Sequence, residues 1–81
     1  MAKFWDVEEV IQVITKNTLE DIVIKKCEKN NKVYVDLRIH KKNDPEDTTS
    51  SPTQKGVVIP ADQIEVVSDT LYSIAGILQN D

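Results

Sequence analysis

The sequence predicts an α+β fold: a four-stranded antiparallel curved sheet followed by one C-terminal amphipathic helix, ββββα, in a single domain spanning residues 1–81. Three observations predict it. Several runs alternate apolar and polar residues with a period of two, short polar connections separate them, and only the last segment carries helical spacing.

The first segment, FWDVEEVIQVI at 4–14, is rich in β-branched and aromatic residues, and its alternation slips near Glu8–Glu9 as in a bulged strand. Val7, Val10, Ile11 and Ile14 also fit helical spacing, so a helix is the competing reading. Thr15 to Thr18 read as a polar turn, and EDIVIKKCE at 20–28 as the second strand. Lys29-Asn30-Asn31-Lys32 is a short hairpin connection, because asparagine tolerates positive φ. The third strand, KVYVDLRIHKK at 32–42, alternates most regularly. Val33, Val35, Leu37 and Ile39 point to one face, while Tyr34, Asp36, Arg38 and His40 point to the other, solvated one.

Residues 43–54, NDPEDTTSSPTQ, have no apolar anchor and read as a mobile loop. KGVVI at 55–59 is a short fourth strand. Pro60-Ala61-Asp62 marks a helix start, with Asp62 and Glu65 in the first turn, where the backbone dipole favours negative charge. Ile64, Val67, Leu71, Ile74 and Leu78 follow in a 3-4-3-4 rhythm, a stripe suited to docking on a sheet or a twin helix. Val66, Tyr72 and Ile77 lie off it, and Gly76 inside the helix calls for a close helix–helix approach.

Composition limits the function. A chain of 81 residues buries only about 60% of its unfolded surface. A lone cysteine, Cys27, gives no disulfide to compensate, so a partner subunit is expected. The single thiol and the lack of a signal-like or membrane-length apolar run point to a cytoplasmic protein with no membrane partner. No nucleophile–base pair, Gly-rich phosphate loop or paired carboxylates in apolar surroundings is present, which argues against an enzyme and a small-molecule substrate. No cofactor or metal is expected: His40 has no Cys or His companion, and the Asp44, Glu46, Asp47 cluster lacks the glycine and terminal glutamate of a calcium loop.

The net charge is −4, yet residues 22–42 hold seven basic side chains against two acids, and no Lys or Arg follows Lys55. Local field matters more to a polyanion than net charge. A positive groove with flat π-faces is what a single-strand binder needs. Lys25, Lys32, Arg38, Lys41 and Lys55 supply charge, and Tyr34 with His40 the faces. The competing readings are structural: Arg38 paired with Asp36 or with an acid on a neighbouring strand, and lysines on a solvated strand face.

The order IVIKKC, hairpin, VYVDLR, loop, KGVVIP and a helix beginning DQIEVV resembles the single-stranded-DNA-binding domain of the positive cofactor four family of transcriptional coactivators and its bacterial and phage relatives. The likeness covers roughly residues 20–78, with Asp36-Leu37-Arg38 and Lys55-Gly56 its most specific parts. It implies a homodimer joined through Ile64, Val67, Leu71, Ile74 and Leu78, whose sheets bind single-stranded DNA, or RNA, with little sequence preference. Arg38, Lys55 and Lys25 match the family's basic positions; Lys29, Lys32, Tyr34, His40 and Lys41 complete the candidate surface. Two family aromatics are missing, one at Cys27 and one near His40–Lys41, which leaves stacking to Tyr34 or Trp5. The loop is also longer and more acidic than the family pattern. A small interaction module that docks a partner protein through its polarised charge is the alternative.

Overall fold

The computed structural model describes residues 4–79. Four strands form one antiparallel sheet in the order β1-β2-β3-β4: β1 Val7–Thr15, β2 Glu20–Lys29, β3 Lys32–Lys41 and β4 Ser51–Pro60. Helix α1, Ala61–Gln79, follows without a break.

The first segment is a strand, and its helical alternative is overturned by continuous pairing with β2. Its bulge falls between Val10 and Gln12 rather than at Glu8–Glu9. The strand begins at Val7, since Asp6 turns aside: its N–H bonds the Glu28 carbonyl at 2.8 Å and its carboxylate accepts the Asn30 N–H at 3.0 Å. The β2–β3 hairpin closes as expected, with Asn30 at φ 53° and Asn31 at φ 64°, the twist that a two-residue turn needs. In the preceding turn, Asn17 Oδ1 accepts the N–H groups of Leu19 and Glu20. The Asn17 side-chain amide also bonds Glu20, which holds the Glu20 carboxyl below its usual range.

The expected loop is shorter than its composition suggests. Ser51 to Gln54 belong to β4, an edge strand on which Pro52 is tolerated because its missing N–H removes no ladder bond to a further neighbour. Residues 43–47 are held by their own acids: the Asp47 carboxylate accepts the N–H groups of Asn43 and Asp44, and Asp44 accepts that of Glu46.

Gly56 lies opposite Arg38, next to an irregularity where Arg38 and His40 face Gly56 and Pro52. A Cβ there would sit 2.8 Å from the Leu37 carbonyl oxygen and 2.9 Å from the Arg38 Cα, both backbone atoms that cannot rotate aside. Gly76, by contrast, has nothing within 4 Å, so the close approach expected there is not made within the chain. The two glycines should therefore respond with opposite signs in urea unfolding. Gly56→Ala is expected to lose roughly 1–3 kcal/mol through overpacking, and Gly76→Ala to gain up to about 1 kcal/mol of helix propensity. Unchanged stability in Gly56→Ala would show that β3 and β4 are not so tightly apposed.

Ile22 and Ile24 of β2, Val35 and Leu37 of β3, and Val57 and Ile59 of β4 share the face toward α1 by strand alternation and register. The helix meets only β3 and β4, and none of its residues is buried. The result is a slab 47 by 37 by 18 Å. Between sheet and helix runs an apolar trough of about 580 Å³, whose walls include Ile11, Ile24, Leu37, Val57, Ile64 and Leu71.

Candidate nucleic-acid interface

The opposite face gathers the polar chemistry. Strand pairing sets Lys25 against Asp36, Val23 against Arg38, Cys27 against Tyr34, Asp21 against His40 and Lys29 against Lys32. Alternation therefore places Lys25, Lys29, Lys32, Tyr34 and Arg38 on one side of the sheet. With His40, which the same alternation puts there, six of the eight expected residues share this side.

This face is drier than its alternation suggests. Asp21, Val23, Cys27, Asp36 and His40 are all buried there. The covers come from remote segments. Trp5, 9% exposed, packs on Tyr34 at 5.4 Å between ring centroids, and Ser50 donates to the Asp21 carboxylate at 3.3 Å.

His40 is the clearest correction: at 6% exposure it offers no stacking surface. Burial holds its pKa below the usual 6.5, helped by the positive charge of Lys25, so the ring favours its neutral form. Its Nε2 is buried without a hydrogen-bond partner among the described residues. Cys27 is likewise enclosed; burial raises the thiol pKa, with the charge of Asp36 adding to it, which suits a packing role rather than a reactive one.

The cations divide into spent and available ones. Arg38 donates from Nε to both Asp36 oxygens at 3.2 and 3.3 Å and from Nη1 to the Thr53 carbonyl at 2.9 Å, and its Nη2 forms an ion pair with Asp36 Oδ1 at 3.1 Å. Lys25 pairs with Glu8 at 3.6 Å. Lys29 Nζ donates to the Phe4 carbonyl at 2.8 Å and lies 3.8 Å from the centre of the Phe4 ring. Lys32 is exposed at the hairpin.

Lys41 and Lys55 stand apart from this group. Lys41 has the alternation of Val33 and Ile39, which sets it on the helix side at the far end of β3. Lys55 was expected in one groove with Arg38; Gly56 takes the position opposite Arg38, and Lys55, with the alternation of Val57, borders a hollow whose walls include Ile22, Leu37, Arg38, Ile39 and Val57. Strand alternation is the physical reason.

Phe4, absent from the expected site, is 65% exposed and meets Trp5 edge to face at 4.8 Å. Two hollows of about 340 and 400 Å³ share Phe4, Trp5 and Val58 in their walls. The first opens toward Lys29, Lys32 and Tyr34, the second toward Lys25 and Arg38. The sequence signal for Phe4 was its place beside Trp5 at the head of the aromatic-rich segment 4–14, read there as part of the first strand.

No family model matches the chain, and no curated protein matches it. Among solved structures, a PC4 (positive cofactor four) homolog from Burkholderia pseudomallei superposes with a TM-score of 0.75, at 22% identity, over 90% of this chain and 96% of that one. The chain has a PC4-like fold. Among the described residues, no helix is long and apolar enough to cross a membrane.

Proposed function

We propose that the chain is a non-enzymatic binder of single-stranded DNA with little sequence preference, acting as a homodimer in replication, recombination or transcription regulation. The observation that carries this reading is the single face on which Lys25, Lys29, Lys32 and Arg38 surround Tyr34 and the Phe4–Trp5 pair. The cations track phosphates, and the ring faces accept bases without demanding sequence. The resemblance of IVIKKC, VYVDLR and KGVVIP to the positive cofactor four family, and the PC4-like fold, support it.

In this reading Lys41 and Lys55 contact a strand that passes over the edge of β4 rather than one confined to the face. The apolar trough and the exposed stripe at Leu71, Ile74 and Leu78, continuous with Ile64 and Val67, meet the same surfaces of a second copy. The alternative, a module that docks a partner protein, draws on the outer flank of α1. There Val66, Tyr72 and Ile77 are exposed beside Asp62 and Asp69.

Fluorescence anisotropy of a labelled oligothymidine, with the matching duplex as control, separates the two. Single strand should bind more tightly than duplex. Four phosphate contacts, at Lys29, Lys32, Lys41 and Lys55, with a slope of about 0.7 each should weaken binding roughly 50-fold between 50 and 200 mM salt. Equal affinity for duplex, or no binding at low salt, rejects the single-strand reading.

A further inference from the structure

The two halves of the polar face differ in a way that locates its base contact. Around Lys25 and Arg38 the hollow also contains Glu8 and Asp36, and both cations are already paired with those acids. At the hairpin end, the walls of the 340 Å³ hollow contain Phe4, Trp5, Tyr34, Lys29 and Lys32 and no acid. An anion with a flat apolar body fits the second environment, and an acid-lined one disfavours it.

The aromatic wall is held in place. Asp6 N–H to Glu28, Asn30 N–H to Asp6 and Lys29 Nζ to the Phe4 carbonyl tie the segment to the end of β2 and the turn of the hairpin. Trp5 is buried between Phe4 and Tyr34, so it fixes both rings while Phe4 keeps 65% of its surface open. A ring serving only the core would be covered, as Trp5 is. The hollow lies within the 300–1,000 Å³ typical of ligand clefts.

We propose that this hairpin-end hollow is the principal base pocket of the molecule. It takes one unpaired nucleobase against Phe4 and Tyr34 and sets the adjoining phosphate on Lys32. The occupant is part of a strand rather than a free nucleotide, because the neighbouring hollow continues the groove toward Lys25 and Arg38 through the shared Phe4, Trp5 and Val58. The pocket rests on the single-strand reading and refines it: affinity would be set at the hairpin rather than at the centre of β3.

Trp5 is the only tryptophan and lines the pocket, so its emission reports occupancy directly. Oligothymidine and an abasic strand of equal length are titrated into wild type, Phe4→Ala and Lys32→Glu. Oligothymidine is expected to change Trp5 emission in the wild type, and Phe4→Ala to weaken its binding about tenfold, the loss of one stacked base. Phe4→Ala should bind the abasic strand as the wild type does, whereas Lys32→Glu should weaken both ligands. Circular dichroism establishes that each variant is folded; the exposed Lys32 gives a second test if Phe4→Ala is not. Wild-type binding with unmoved Trp5 emission, or with oligothymidine affinity retained in folded Phe4→Ala and Lys32→Glu, overturns the pocket alone. If wild type binds no single strand, the reading beneath it falls as well.

Discussion

Leu71→Asp should abolish the proposed homodimer and leave a monomer in sedimentation equilibrium, with loss of helical circular dichroism. Among the described residues of one chain the buried apolar side chains are few: Trp5, Val23, Cys27 and Ile59. Val57, Leu71, Ile74 and Leu78 remain substantially exposed, and Leu71 borders the trough beneath α1 while standing 57% exposed itself. Contiguous apolar surface of this kind marks an interaction site. A second copy related by a two-fold axis would cover both trough and stripe, and each substitution would enter such an interface twice. Two carboxylates would then be placed in apolar surroundings, where burying an unpaired charge costs several kcal/mol. A wild type that sediments as a monomer at micromolar concentration would end this account and leave the trough for another partner.

Local chemistry explains which parts of the structure were legible in the sequence. The Asn30–Asn31 turn was readable because its conformation depends on two adjacent residues, and the Val33-to-Ile39 alternation because a strand has only two faces. The start of β4 was not. Thr-Ser-Ser-Pro composition resembles a loop, whereas Ser51 and Pro52 pair with Lys41 and His40 only after the chain has turned back along β3. His40 illustrates the same limit. Its place on the polar face follows from alternation, but its burial depends on the return of residues 50–52 and could not be read from β3 alone. Trp5 and Phe4 reach Tyr34 and Lys29 across about two dozen residues of sequence, and no period encodes that closure. Lys55 was misplaced for a simpler reason: it shares the alternation of Val57 and Ile59, which face α1, and the residue opposite Arg38 is Gly56.

Asp36→Asn should tighten oligothymidine binding while lowering stability, a pairing of effects that separates the two roles open to Arg38. Asp36 is 5% exposed, accepts hydrogen bonds from Arg38 Nε on both oxygens and pairs with its Nη2 at 3.1 Å, with Lys25 opposite it in the ladder and Glu8 beyond. Acid and base therefore alternate along Glu8, Lys25, Asp36 and Arg38, which leaves this stretch little net positive charge. Asparagine keeps the shape and one acceptor oxygen but removes the negative charge. The weakened pair should cost about 1–3 kcal/mol of stability, and one freed cation should steepen the salt slope by about 0.7. Arg38→Ala is the less informative change. It strands a buried carboxylate, which costs up to about 3–5 kcal/mol when such a pair is broken, so a loss of binding would be mixed with a loss of fold. Tighter binding in Asp36→Asn cannot arise from unfolding. If a folded Asp36→Asn instead binds more weakly, Asp36 is the residue that orients Arg38 toward phosphate, and the pair belongs to the binding surface rather than competing with it.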